Sequence, residues 1–204
     1  MRLLRTSDYR RTRWKNDGGW TTEIAAQTLT DASEGFLWRV SIAEIEVDGP
    51  FSSFPGVQRD LLMLAGNGLE LDINGLPPQR LNKRFQQIRF AGEDEVHCRL
   101  LAGPTRDFNV MVRRELANAE VHARPINGTM LVFSDPGSTW LIHVFAGQIM
   151  ARSGDQEIGA EISETLVVES ATDARERIVL EGSGELVLVK ISETTSNVAK
   201  ELHG

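Results

Sequence analysis

Two stretches decide how this chain is read: Leu61-Leu62-Met63-Leu64-Ala65-Gly66 and Leu141-Ile142-His143-Val144-Phe145-Ala146-Gly147. Each is a short apolar run closed by Ala-Gly. The likeness continues downstream. Cys98-Arg99-Leu100-Leu101-Ala102-Gly103 runs in step with Arg177-Ile178-Val179-Leu180-Glu181-Gly182. Asp107-Phe108-Asn109-Val110-Met111-Val112 then falls beside Glu185-Leu186-Val187-Leu188-Val189-Lys190. The offset is 81 residues between the Ala-Gly pairs and 79, then 78, at the later matches, so roughly three residues are lost between copies. Repetition at such a period marks a duplicated structural unit.

The surrounding residues say what is duplicated. Helical periodicity is scarce, and short alternating runs broken by Gly, Pro, Asp and Asn dominate, the pattern of a β-sandwich or barrel. Strands are predicted over 36–47, 60–64, 68–73, 96–101, 108–113, 129–133, 140–145, 148–152, 165–169, 177–181 and 185–191. Turn signals such as Asp48-Gly49-Pro50, Asn74-Gly75 and Asp135-Pro136-Gly137 separate them. The expected fold is all-β: two fused cupin-type β-barrels or sandwiches, a bicupin of double-stranded β-helices. The halves are placed at 1–120 and 121–195, forming one compact unit in which the N-terminal segment is available for strand exchange. A polar tail, 196–204, is expected to fray or form a short helix.

Composition narrows the function classes. The 204 residues carry 22 basic and 29 acidic side chains, a net charge of −7, which argues against a nucleic-acid partner. No apolar run reaches the roughly 18 residues of a membrane span, and Met1-Arg2-Leu3-Leu4-Arg5 does not open a signal peptide. The expected compartment is therefore the cytoplasm. The single cysteine, Cys98, sits in an alternating run and reads as a small buried hydrophobe.

The copies differ where function would lie. Residues two apart in a strand share a face. Asp107, Asn109 and Met111 share one in the first copy, and the match places Glu185, Val187 and Val189 opposite them in the second. A polar face against a largely apolar one points to a ligand cavity in the first half, the alternative being that this face is solvated. The richest segment is 14–59. It holds Trp14-Lys15-Asn16-Asp17-Gly18-Gly19, then Arg39 and Ser41 in a strand, then Gly49-Pro50-Phe51-Ser52-Ser53-Phe54-Pro55-Gly56 leading to Arg59. An inward arginine must find an acceptor. Either Arg39 or Arg59 pairs with Glu23 or Asp107 and only holds the fold, or one is left to clamp a carboxylate in bidentate fashion.

No metal and no cofactor are expected. His97, His122, His143 and His203 include no His-x-His pair, and His143 reads as a hydrogen-bonded core residue. Nucleophile-elbow, dinucleotide and phosphate-loop motifs are all missing.

Taken together, Trp14-Lys15-Asn16, Gly18-Gly19, Thr22-Glu23-Ile24, Trp38-Arg39-Val40-Ser41, Gly49-Pro50-Phe51-Ser52, Phe54-Pro55-Gly56, Arg59 and Asp107-Phe108-Asn109-Val110-Met111 resemble the HutD/Ves family. The resemblance implies a bicupin and, on the HutD branch, a regulator of histidine utilisation that senses a metabolite. Asp17 stands where the family has glycine, and its charge is expected to weaken anion binding near a cavity mouth. On this reading a small carboxylate such as urocanate, formylglutamate or formiminoglutamate is held by Arg59 or Arg39. Asn109, Ser52 and Asn16 supply hydrogen bonds, Trp14, Phe54 and Met111 form walls, and Glu23 and Asp107 complete the site. Two alternatives stand beside it: a metal-independent isomerase or hydrolase with Glu23 or Asp107 as general base, and an interaction module docking through the Phe51–Phe54 loop. The second half reads as structural and as a place for a homodimer contact.

Overall fold

A computed structural model of the chain describes residues 1–29, 35–170 and 175–194. The tail at 196–204, with His203, lies outside the described residues. Among those described, every element is a strand except one 3-10 turn at Thr6–Asp8. The chain divides into two compact units, Arg10–Glu115 and Met1–Tyr9 with Leu116 onward. They are called here the first and second half.

The first half has two antiparallel sheets. One runs β2 (Arg10–Arg13), β3 (Gly19–Thr28), β4 (Phe36–Ile45), β11 (Thr105–Arg113), β6 (Val57–Ala65), β9 (Gln87–Ala91). The other runs β5 (Gly49–Pro50), β10 (Val96–Leu100), β7 (Leu69–Ile73), β8 (Gln79–Leu81). Leu61, Leu69, Leu71, Ile88, Phe90 and Cys98 build its core. The Cys98 thiol is buried and pushed up to about 12 by desolvation, in line with a packing role.

In the second half one sheet runs β1 (Arg2–Leu4), β15 (Thr165–Glu169), β13 (Ser138–Ser153), β16 (Glu176–Glu193), β12 (Ala117–Ser134), and β14 (Gln156–Glu161) adds to β13. The N-terminal β1 thus pairs with β15. Its hydrophobic core has Ile142, Val144, Leu166, Leu180, Leu186 and Leu188 at its centre, and Ser134, Ser138, His143 and Thr165 are buried polar residues of this half. His143 faces away from these residues, buried and hydrogen-bonded through Nδ1 to Thr165 Oγ1 at 2.9 Å.

Two predicted strands at 140–145 and 148–152 are one strand, β13, and the pair at 177–181 and 185–191 are one strand, β16. Glycine makes that continuity feasible. A Cβ on Gly147 would lie 1.9 Å from Ser183 O, and one on Gly184 would lie 1.9 Å from Ala146 O. Only bare backbone lets the two strands bend past each other here.

The register corrects the match between copies. Where β6 meets β11, Ala65 pairs with Arg106 and Met63 with Asp107, leaving Leu64 as a bulge. Where β13 meets β16, Ala146 pairs with Glu185 and Val144 with Leu186, leaving Phe145 as a bulge. The same bulge in both copies therefore sets Asp107 opposite Leu186 and Asn109 opposite Leu188, rather than Glu185 and Val187. A one-residue slip exchanges the two faces of a strand. The contrast survives and sharpens: where the first half carries Asp107 and Asn109, the second carries two core leucines.

Gly147→Ala is expected to lower stability by at least about 2 kcal/mol, since its positive φ and the carbonyl contact both oppose a side chain. Gly159→Ala, whose Cβ would meet nothing closer than 3.5 Å, is the control and should change little. Urea midpoints of the two variants decide it; equal midpoints would contradict the bend.

Candidate functional site

Because paired residues in adjacent strands share a face, the inner surface of the first half can be read as rungs across its larger sheet. One rung runs Arg10, Glu23, Ser41, Asn109, Leu61. The next runs Thr12, Thr21, Ala43, Asp107, Met63. A third runs Arg39, Met111, Arg59, Phe90. These rungs floor a cavity of about 720 Å³. All ten residues singled out from the sequence line it: Trp14, Asn16, Glu23, Arg39, Ser52, Phe54, Arg59, Asp107, Asn109 and Met111. Arg10, Thr12, Thr21, Ser41 and Phe51 line it as well and were not among the predicted site residues. Arg10 and Thr12 sit in a run of Arg and Thr with no apolar alternation, so only their spacing of two pointed to a strand.

The two arginines have different fates. Arg39 Nε donates to Glu23 Oε2 at 2.6 Å, with both side chains partly exposed. Arg59 is 6% exposed. Among the described residues the only hydrogen bond of its side chain runs from Nη2 to Asn109 Oδ1, at 3.2 Å. Its Nε is buried and unpartnered. Three rings surround the guanidinium, with Cζ 4.9 Å from the Phe90 centroid, 5.1 Å from Phe51 and 5.8 Å from Phe54. Their faces offer partial negative charge to the cation. Burial still pulls the Arg59 value down to about 10, against the attraction of Asp107. Asp60, next in sequence, points to the opposite face and takes Arg89 at 2.9 Å and Gln87 at 2.7 Å. It is no partner for Arg59.

Asp107 is fully buried. Asn109 Nδ2 donates to its Oδ1, while its Oδ2 has no hydrogen-bond partner. Desolvation pushes its carboxyl group up to about 7, and the Arg59 charge opposes that rise. Asn109 thus stands between a buried cation and a buried acid, accepting from one and donating to the other.

The Gly-Gly turn shapes the wall. A Cβ on Gly19 would lie 2.2 Å from Glu44 O, so this position is closed to any side chain. Asn16 Oδ1 accepts from the Gly18 backbone N–H at 3.1 Å, and Trp14 Nε1 donates to Thr21 Oγ1 at 2.8 Å. Asp17 adopts φ 54°, the left-handed region its side chain tolerates. Its carboxylate lies 3.3 Å from Arg13 Nε, is 85% exposed, and does not line the cavity. The charge expected to disturb anion binding there is turned outward and paired.

Among the described residues no group of three or more His, Cys, Asp or Glu could hold a metal ion. None of their helices is long and apolar enough to cross a membrane.

Fold and site together define a bicupin whose first half encloses a polar, arginine-bearing cavity and whose second half is filled with hydrocarbon. The chain belongs to the HutD family, whose sequence model matches residues 6–188. It is 37% identical to an uncharacterized 21.2 kDa protein in the hutC 3′ region of Pseudomonas putida, over 78% of this chain and 80% of that one. Protein Ves of Citrobacter koseri is 34% identical over 72% and 73%. Among solved structures, HutD from Pseudomonas fluorescens SBW25 (formate condition) aligns with TM-score 0.81 and 32% identity over 95% of this chain and 98% of that one. A cupin 2 conserved barrel domain protein from Leptotrichia buccalis shares the fold at TM-score 0.54 and 8% identity.

Asp107 carries a folded-state value above its ordinary 3.8. Between that value and about 7 the unfolded chain releases the proton while the folded chain keeps it. Its contribution to stability is therefore full below about 4 and lost as pH rises through about 7. Asp107→Asn should thus gain on the wild type, by on the order of 2–4 kcal/mol, between about pH 4 and about pH 8. Urea unfolding of both proteins across that range checks this, and a constant difference would contradict it.

Proposed function

We propose that the first-half cavity binds a small carboxylate metabolite and that the protein acts as a non-enzymatic regulator of histidine utilisation, sensing urocanate, formylglutamate or formiminoglutamate. One observation carries this reading: Arg59 is buried at the cavity floor, and among the described residues no carboxylate is hydrogen-bonded to it. A guanidinium in that condition gains most from an incoming anion, because its desolvation is already met by the fold. The cavity volume falls in the range of small-molecule sites. Membership of the HutD family supports the pathway assignment.

Calorimetric titration of the three metabolites tests it. At least one should bind, and Arg59→Ala should weaken it roughly 10- to 150-fold, the equivalent of about 1.5–3 kcal/mol for a charge-assisted hydrogen bond. Equal weak heats for all three compounds would overturn the reading. A second reading, a metal-independent isomerase or hydrolase, is favoured by the near-neutral Asp107, since a general base works best near the operating pH. Turnover of the same metabolites, abolished by Asp107→Asn, would establish it in place of the sensor.

A further inference from the structure

The Arg59–Asn109–Asp107 chain has a consequence beyond recognition of an anion. Asp107 is shut off from solvent and leaves Oδ2 without a hydrogen-bond partner. Its Oδ1 is tied through Asn109 to Arg59, the cation proposed to receive the guest. Other charged or titratable groups face this point from each neighbouring strand. Arg39 lies on β4, already paired with Glu23 of β3. Arg10 stands on β2 opposite Glu23. Cys98 of β10 feels the Asp107 charge but is held as a neutral thiol. Arg13, paired with Asp17 and Glu46, and Lys15 line the same cavity. Among the described residues Arg59 is the cation whose attraction opposes the rise at Asp107.

We infer that carboxylate binding in this cavity is coupled to proton uptake by Asp107, so that the site takes up its guest as an anion together with a proton. The coupling follows from charge. An anion seated on Arg59 cancels the charge that keeps Asp107 ionised and adds a second negative charge beside a group the fold has withdrawn from solvent. The proton comes from solvent and lands on Asp107, where the unpartnered oxygen takes it; no bond of the guest breaks. Linkage fixes the sign. Affinity is flat where Asp107 is already protonated in the free protein and falls as pH rises above that range, by up to tenfold per pH unit. Asp107 reaches neutrality near pH 7 in the free protein, so the fall lies on the alkaline side of that point.

This inference rests on the carboxylate-binding reading, and its test separates the two. N-formylglutamate, with glutarate as a second carboxylate that does not titrate between about pH 6 and about pH 9, is titrated into the full chain in triethanolamine and in Tris, two cationic buffers whose ionisation enthalpies differ. Apparent binding heats at about pH 8 should differ between the buffers by an amount corresponding to uptake of close to one proton. Asp107→Asn should bind with the same heat in both buffers and about tenfold tighter than wild type at about pH 8. Binding with buffer-independent heats in the wild type overturns the coupling and leaves the binding reading standing. No binding of either compound overturns the coupling, and no binding of urocanate and formiminoglutamate as well overturns both. The buffer comparison on wild type decides the matter even where Asp107→Asn folds poorly.

Discussion

A guanidinium withdrawn from water without an opposing carboxylate is the constraint on which this protein's first half is built. Arg59 cannot sit at 6% exposure unless its surroundings replace part of its hydration. Asn109 supplies one acceptor, and Phe51, Phe54 and Phe90 supply ring faces. Asp107 supplies attraction at one remove, through Asn109, without closing an ion pair. The result is a cation that the fold tolerates and does not satisfy. Arg39, hydrogen-bonded to Glu23, shows the other outcome open to an inward arginine in the same sheet.

The duplicated architecture explains how such a site can exist in a stable fold. Both halves keep the same bulge, at Leu64 and at Phe145, and both keep an Ala-Gly bend beside it. The frame is thus set by backbone features that do not depend on what fills the interior. In the second half the inward positions are Ile142, Val144, Leu186 and Leu188, which contribute hydrophobic stabilisation. In the first, the matching positions are Leu61 and Met63, which still join the core, and Asp107 and Asn109, which do not. One copy maintains a core and the other gives up part of its core to a cavity.

Much of this was legible in the sequence, for identifiable reasons. The apolar runs of β6, β11 and β13 announce themselves through β-branched and long aliphatic residues, and arginine or asparagine inside such runs marks the positions that line the cavity. Other elements were hidden. In β2 and β3 the inward side is polar because it faces the cavity, so hydrophobic alternation is lost over Arg10–Arg13 and Gly19–Thr28. The first part of β12 is rich in Ala, Asn, Glu and Arg, poor strand formers, yet Ala117, Ala119 and Val121 alternate as buried positions along it. Its Pro125 is tolerated because β12 is the edge of its sheet. The parity of the repeat was hidden as well. A bulge adds one residue without a sequence signature, and only strand pairing shows that Asp107 answers to Leu186.

The central claim is that Arg59 is available to a carboxylate inside the first half. Its most direct measurement is a crystal structure of the protein soaked with 5-bromofuran-2-carboxylate, an unreactive aryl bromide in which anomalous scattering locates the bromine independently of any assumption about the site. The account requires bromine within the cavity and both carboxylate oxygens in hydrogen-bonding reach of the Arg59 guanidinium. Bromine found only at surface lysines and arginines, with Arg59 still bonded to Asn109 alone, would contradict it.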